Sequence, residues 1–81
     1  CGATAGWNVA AYGATCDFAF NVARSVSPSS RGGVLTVTAY SPVTGQNYSV
    51  TCHDATQQSS YSNAYECSIS SQRGGVVYLW Q

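Results

Sequence analysis

Leu35-Thr36-Val37-Thr38-Ala39-Tyr40 is the stretch on which the fold turns. Leu35, Val37 and Ala39 alternate with Thr36, Thr38 and Tyr40, a period of two that puts one set on each face of a β-strand. Ser41-Pro42-Val43-Thr44-Gly45-Gln46 then reads as a hairpin connection, and Asn47-Tyr48-Ser49-Val50-Thr51-Cys52 as the returning strand, with Tyr48, Val50 and Cys52 on one face. A hairpin that is apolar on one side only needs a cover for that side, while the other side meets water.

Further along, residues 53–63 are polar around Gln57-Gln58-Ser59-Ser60 and read as a long surface loop. Residues 64–70 form a third strand that gathers Tyr65, Cys67 and Ile69, and Val76–Trp80 forms a fourth that gathers Val77 and Leu79. Upstream the period changes. Phe18, Ala19, Val22, Ala23 and Val26 recur at helical spacing, Thr15 has the side chain of an N-cap, and Asp17 sits where the helix dipole favours an anion. These features predict an amphipathic helix over residues 16–26, ended by Ser27-Pro28-Ser29-Ser30. Residues 5–12, with Trp7, Val9 and Ala11 on one side and Gly13 closing them, predict a short additional strand. The fold class is therefore α+β in a single domain over residues 1–81: one helix packed on a four- to five-stranded antiparallel sheet, with two disulfides.

Composition narrows what such a domain does. Charged residues are 7% of the 81, and three basic residues balance three acidic ones. No basic field exists to hold a phosphate backbone, so no nucleic-acid partner is expected. The aromatic and β-branched content also excludes an ordinary disordered segment. A core of this size supplies only a few kcal/mol on its own, and the four cysteines, Cys1, Cys16, Cys52 and Cys67, lack the close spacing of a zinc site. They read as two disulfides, each closing a loop whose entropy contributes about 3 kcal/mol in the chain-entropy account, and they place the protein outside the cytosol, secreted or at the cell surface. Four cysteines allow three pairings; Cys52 and Cys67, both inward on strands joined by one loop, predict a Cys52–Cys67 bridge and leave Cys1 with Cys16. No apolar run reaches the ~18 residues of a transmembrane helix, and the chain reads as a mature product with its export signal removed. A first-position cysteine also fits lipid attachment, but that use of Cys1 leaves three thiols, so pairing is expected.

With the aliphatic positions turned inward, the open side of the sheet receives Thr38, Tyr40, Thr51, Glu66, Ser68, Tyr78 and Trp80. Tyr40, Tyr78 and Trp80 are the expected binding surface, and its Ser/Thr/Tyr character suits a neutral glycan, a protein partner or a second copy. Lysine is absent, both prolines fall in connections, and Val76–Trp80 is apolar and last in the chain. An unguarded edge of that kind is expected to self-associate, as a homo-oligomer or filament, through Val76, Val77, Tyr78, Leu79 and Trp80 or through the Tyr40, Tyr78 and Trp80 face. No catalytic residue, metal or cofactor is expected. His53 neighbours Cys52 and Asp54, but adjacent strand residues face opposite ways, so no thiolate–imidazole pair forms in an extended segment. The competing reading is a small secreted effector, inhibitor or enzyme acting through the loop around His53 and Asp54. Asp17 and Glu66 are explained by the helix start and the solvent face, and each Arg-Gly-Gly precedes a strand, where glycines serve turns. The Asn47-Tyr48-Ser49 sequon has meaning only in a eukaryotic host.

Thr15–Ala23, with its Cys16, Phe18-Ala19 and Asn21-Val22, and Ala39–Cys52, with its Tyr40-Ser41-Pro42-Val43-Thr44-Gly45 hairpin, are two stretches that resemble a family of small exported domains of mycobacteria and related actinobacteria, some free-standing and some carried as extracytoplasmic appendages of membrane proteins, including serine/threonine kinases. One is Thr15-Cys16-Asp17-Phe18-Ala19-Phe20-Asn21-Val22-Ala23, similar to that family's cysteine, Phe-Ala and Asn-Val pattern. The other runs from Ala39 through Tyr40-Ser41-Pro42-Val43-Thr44-Gly45 to Cys52, similar to its Tyr-Ser-Pro-Val-Thr-Gly hairpin ending in cysteine. Gly75 to Leu79 adds a third, shorter likeness. Ser68 to Arg73 stands where the family tends to carry Gly-Gly-Asn-Asn after the last cysteine. The resemblance implies export, a disulfide-bonded fold and no assigned catalytic activity, and it carries over no functional residue.

Overall fold

The computed structural model describes residues 1–30, 32–56, 61, 63–69 and 75–81. In chain order the elements are β1 (Gly2–Thr4), β2 (Trp7–Tyr12), α1 (Cys16–Ser25), β3 (Val34–Ser41), β4 (Gln46–Asp54), β5 (Ala64–Ile69) and β6 (Val76–Trp80). The six strands form one sheet in the order β1-β2-β6-β5-β4-β3, every neighbouring pair antiparallel. The expected α+β class holds, with six strands rather than four to five.

The extra strand comes from a tight turn. Ala5 and Gly6 both have positive φ, 53° and 85°, as a two-residue turn matched to strand twist requires, so β1 folds back on β2 with Gly2 opposite Val9. Gly6 is also held by packing, since a Cβ there would lie 2.8 Å from the Cβ of Pro28. Residues 5 and 6 were expected to lie in the strand; they are its turn, and Ala-Gly lacks the Asn or Asp that usually signals one.

Helix α1 begins as its sequence requires. Thr15 Oγ1 accepts from the Phe18 backbone N–H at 3.2 Å, Asp17 lies in the first turn and Arg24 in the last. Phe18, Ala19, Val22 and Ala23 are buried against one face of the sheet, together with Ala39, Val50, Cys52, Cys67, Ile69, Val77 and Leu79, and the half-buried Leu35 and Val37 pack against them. The helix stops at Ser25 because Val26 is extended, and its C-terminal carbonyl is taken by Trp7, whose indole Nε1 donates to Val26 O at 3.0 Å. Trp7, 1% exposed, thus buries its ring without stranding its N–H. Its ring meets Tyr65 edge to face, and Tyr65 in turn donates to Gly32 O at 2.8 Å.

The disulfides join Cys1 to Cys16 and Cys52 to Cys67. They differ in setting: Cys1 and Cys16 are exposed, tying the start of β1 to the start of α1, whereas Cys52 and Cys67 are directly opposed across β4 and β5 beneath the helix. Far from both, the buried amide of Asn63 donates to Ser30 O and Gln81 Oε1, and Gln81 Nε2 donates to Pro28 O and approaches Gly6 O at 3.2 Å. That polar knot pins the chain's last residue to the loop after the helix.

The strand order corrects one expectation. Val76–Trp80 is interior to the sheet, paired to β2 on one side and β5 on the other, so Val76, Val77, Tyr78, Leu79 and Trp80 have no free main-chain edge for a second copy. The reason is topological: β2 crosses back to cover the strand on which the chain ends. The long edge is β3 instead, and the helix guards it. Asn21 Nδ2 donates to Tyr40 O at 2.8 Å, and Ser25 Oγ shares its proton between Asn21 O and Thr38 O.

Two outcomes follow from this architecture. In mild reductant, trapping of free thiols and mass spectrometry will show the exposed Cys1–Cys16 bridge opening faster than the enclosed Cys52–Cys67 bridge by roughly tenfold or more; the reverse order would contradict the burial described. Replacing Asn21 and Ser25 together by Ala uncovers the Tyr40 and Thr38 carbonyls, and sedimentation will then show more association between copies than in the parent at equal concentration.

Candidate binding site

Alternation on β6 decides the site. Val77 and Leu79 point into the core, so Tyr78 and Trp80 project from the sheet face that α1 does not cover. Their lateral neighbours are small. Tyr78 stands between Ala10 on β2 and Glu66 on β5, and Trp80 between Asn8 and Ala64. Beside two alanines the large rings have room that full-sized neighbours would have filled.

Two further aromatic residues close the ends. Tyr12, at the last position of β2 and 63% exposed, meets Tyr78 edge-on with ring centroids 5.7 Å apart. Tyr61, from the connection between β4 and β5 and 46% exposed, lies over Trp80 at 5.5 Å with the ring planes tilted by 32°. Between these pairs runs an open cavity of about 580 Å³, floored in part by Ala10 and Ala64 and flanked by Glu66. This size falls within the range of small-molecule sites.

Of the expected binding residues, Tyr78 and Trp80 share this groove and Tyr40 does not. Tyr40 is on the same sheet face, 49% exposed, but belongs to β3. The register aligns Tyr78 with Glu66, His53 and Val34 in a row, and Tyr40 lies six residues beyond Val34, roughly 20 Å along the strand direction. Tyr12 and Tyr61 take its place. Neither was singled out from the sequence: Tyr12 falls at a strand end, and Tyr61 lies in a polar loop without periodicity. The aromatic spacing from Tyr78 to Trp80 was the one legible signal.

His53 and Asp54, the residues of the competing reading, end β4 on opposite faces. His53 is on the groove side, in the register position opposite Glu66. Asp54 has a local task. Its Oδ1 accepts from Thr56 Oγ1 at 2.6 Å and from Thr56 N at 2.9 Å, and Thr56 Oγ1 in turn accepts from Ala64 N at 3.3 Å. These bonds, the Thr56 hydroxyl first and its backbone N–H second, hold the Asp54 carboxyl below its ordinary value. The knot fixes the beginning of the connection that carries Ala55 and Tyr61 to the groove. Among the described residues no three His, Cys, Asp or Glu side chains gather as a metal site, and the buried side-chain polar atoms all have partners. Ser59 and Ser60, Arg31 and Arg73, part of the loop and turn expectations, lie outside the described residues.

Comparison with known proteins finds no family, no curated protein and no solved structure that matches this chain.

The Asp54–Thr56 knot has a defined pH sign. A carboxyl whose folded value is depressed adds stability above its unfolded value of about 3.9 and loses it as the pH falls through the lower folded value. Carbon-detected NMR titration will therefore place the Asp54 midpoint below that of an ordinary aspartate, and Thr56→Val will return it upward. An unchanged midpoint in Thr56→Val would show that the hydroxyl is not its cause.

Proposed function

We propose that this protein is a non-catalytic extracellular binding module whose contact surface is the groove between Tyr12, Tyr61, Tyr78 and Trp80. The observation that carries the reading is that four large rings from three separate segments stand around an open cavity on the side of the sheet that the core does not use. Tyr12 and Tyr61 are exposed and Tyr78 and Trp80 half-buried, and aromatic surface left to water costs solubility, so a partner that buries it is the physical reason to keep it. The two disulfides are compatible with an oxidising compartment, and no helix among the described residues is long and apolar enough to cross a membrane. The resemblance to small exported actinobacterial domains points the same way.

The groove also bears on the partner classes expected from the sequence. Among the described strands, the helix-guarded β3 edge and the short β1 edge are what association between copies has for main-chain pairing. A ligand entering the groove needs neither. The reading through His53 and Asp54 has less behind it, since their side chains diverge and Asp54 is engaged by Thr56.

The test is a ligand-observed NMR screen of neutral oligosaccharides, short peptides and small ammonium compounds, followed by amide shift mapping. The expected hits perturb Ala10, Ala64, Tyr78 and Trp80, weaken about tenfold or more in Trp80→Ala, and persist in a His53→Ala, Asp54→Ala variant. A ligand that maps to residues 53–54 and is lost with that pair would overturn the assignment.

A further inference from the structure

We infer that the groove is a site for a methylated ammonium group, an inference that rests on the groove being the binding surface. The rings of Tyr12, Tyr61, Tyr78 and Trp80 line the cavity, and the charged side chain among its described lining residues is the carboxylate of Glu66, directly opposite Tyr78. Aromatic faces attract a cation through the ring quadrupole, most strongly where water is partly excluded, and a nearby carboxylate supplies the counter-charge. Of the basic side chains, Arg24 lies on the exposed side of α1, across the sheet from the groove, and takes Asn21 Oδ1 as its partner at 3.0 Å. Among the described residues no arginine opposes Glu66 on the groove face; its cross-strand neighbour on β4 is His53.

The choice between a cation and a neutral sugar rests on the balance of rings, charge and hydrogen-bonding groups among the described lining residues. A saccharide carries a hydroxyl on most carbons, and each one removed from water needs a donor or acceptor in the site. Among the described lining residues Ala10, Ala55 and Ala64 offer no side-chain hydrogen bond, and the polar side-chain groups are tyrosine hydroxyls, the Trp80 indole N–H and the Glu66 carboxylate. The Asn8 amide, beside Trp80, donates to the Trp80 carbonyl at 3.3 Å. A fully methylated ammonium has no N–H to satisfy; it needs apolar contact, aromatic rings and a negative charge, and these line the groove. The cavity of about 580 Å³ exceeds such a headgroup and is open, so the ligand extends beyond the groove as the end of a larger molecule.

Choline and its uncharged carbon isostere, 3,3-dimethylbutan-1-ol, separate charge from shape. Fluorescence titration reads the groove selectively, because Trp80 lines it while Trp7 is enclosed in the core. The expected result is saturable binding of choline about tenfold tighter than the isostere, the scale of one good cation–π contact. Glu66→Gln is expected to remove several-fold of choline affinity and leave the isostere unchanged. Displacement of choline by Nε-trimethyllysine or by phosphatidylcholine vesicles upholds the assignment and tells a side-chain source from a lipid headgroup. Equal binding of choline and the isostere, or saturable binding of a neutral oligosaccharide in the absence of any choline response, overturns the ammonium inference while leaving the groove as the binding surface. A ligand that binds undiminished in Trp80→Ala removes the groove itself.

Discussion

One helix of ten residues has a single apolar stripe, and six strands have two faces. The rest of the molecule follows from this mismatch. Phe18, Ala19, Val22 and Ala23 cover one side of the sheet, and the strands sort their side chains to suit: Val77 and Leu79 inward, Tyr78 and Trp80 outward. A second helix on the far side would have made Tyr78 and Trp80 core residues. Without one, they form a surface, and two alanines beside them turn that surface into a groove.

Such a thin domain, one helix on one sheet, keeps its cover in place by local means. The Cys52–Cys67 bridge binds β4 to β5 beneath the helix, and Cys1–Cys16 fastens the helix start to β1. At the other end Trp7 satisfies the helix C-terminus from within the core, so one side chain joins burial to capping. These anchors share a logic: each removes freedom from the unfolded chain or satisfies a polar group that burial exposes to cost, where a larger protein would add apolar area.

Local signals made much of this readable and topology withheld the rest. Thr15, Asp17 and the Phe18 to Val26 spacing determine the helix because capping and periodicity act within a few residues. The alternation Leu35 to Tyr40 and its continuation to Cys52 do the same for β3 and β4. Strand order depends on contacts distant in sequence, and nothing in Val76–Trp80 announces that Trp7–Tyr12 will pair with it. The edge was accordingly misplaced, and Tyr40 was grouped with Tyr78 and Trp80 because periodicity reports the face and not the position on it. Tyr61 was hidden for another reason. It reaches Trp80 only through a loop whose start is fixed by the Asp54, Thr56 and Ala64 knot, a constraint with no periodic signature.

The low charge of the chain gives single groups unusual weight. On an ordinary surface, with about a quarter of its residues ionised, one carboxylate among many sets no local field. Here 7% of residues are charged, and on the groove side Glu66 stands between Tyr78 and His53 in the cross-strand row, with alanines and aromatic rings lining the cavity beside it. Low-dielectric walls on several sides slow the fall of its potential, and salt screens a half-buried charge less than a fully solvated one. The same composition that removes a basic field for nucleic acid therefore sharpens the one acidic point that the aromatic face has. Glu66 is thus a single carboxylate on the face of the sheet that the helix leaves uncovered.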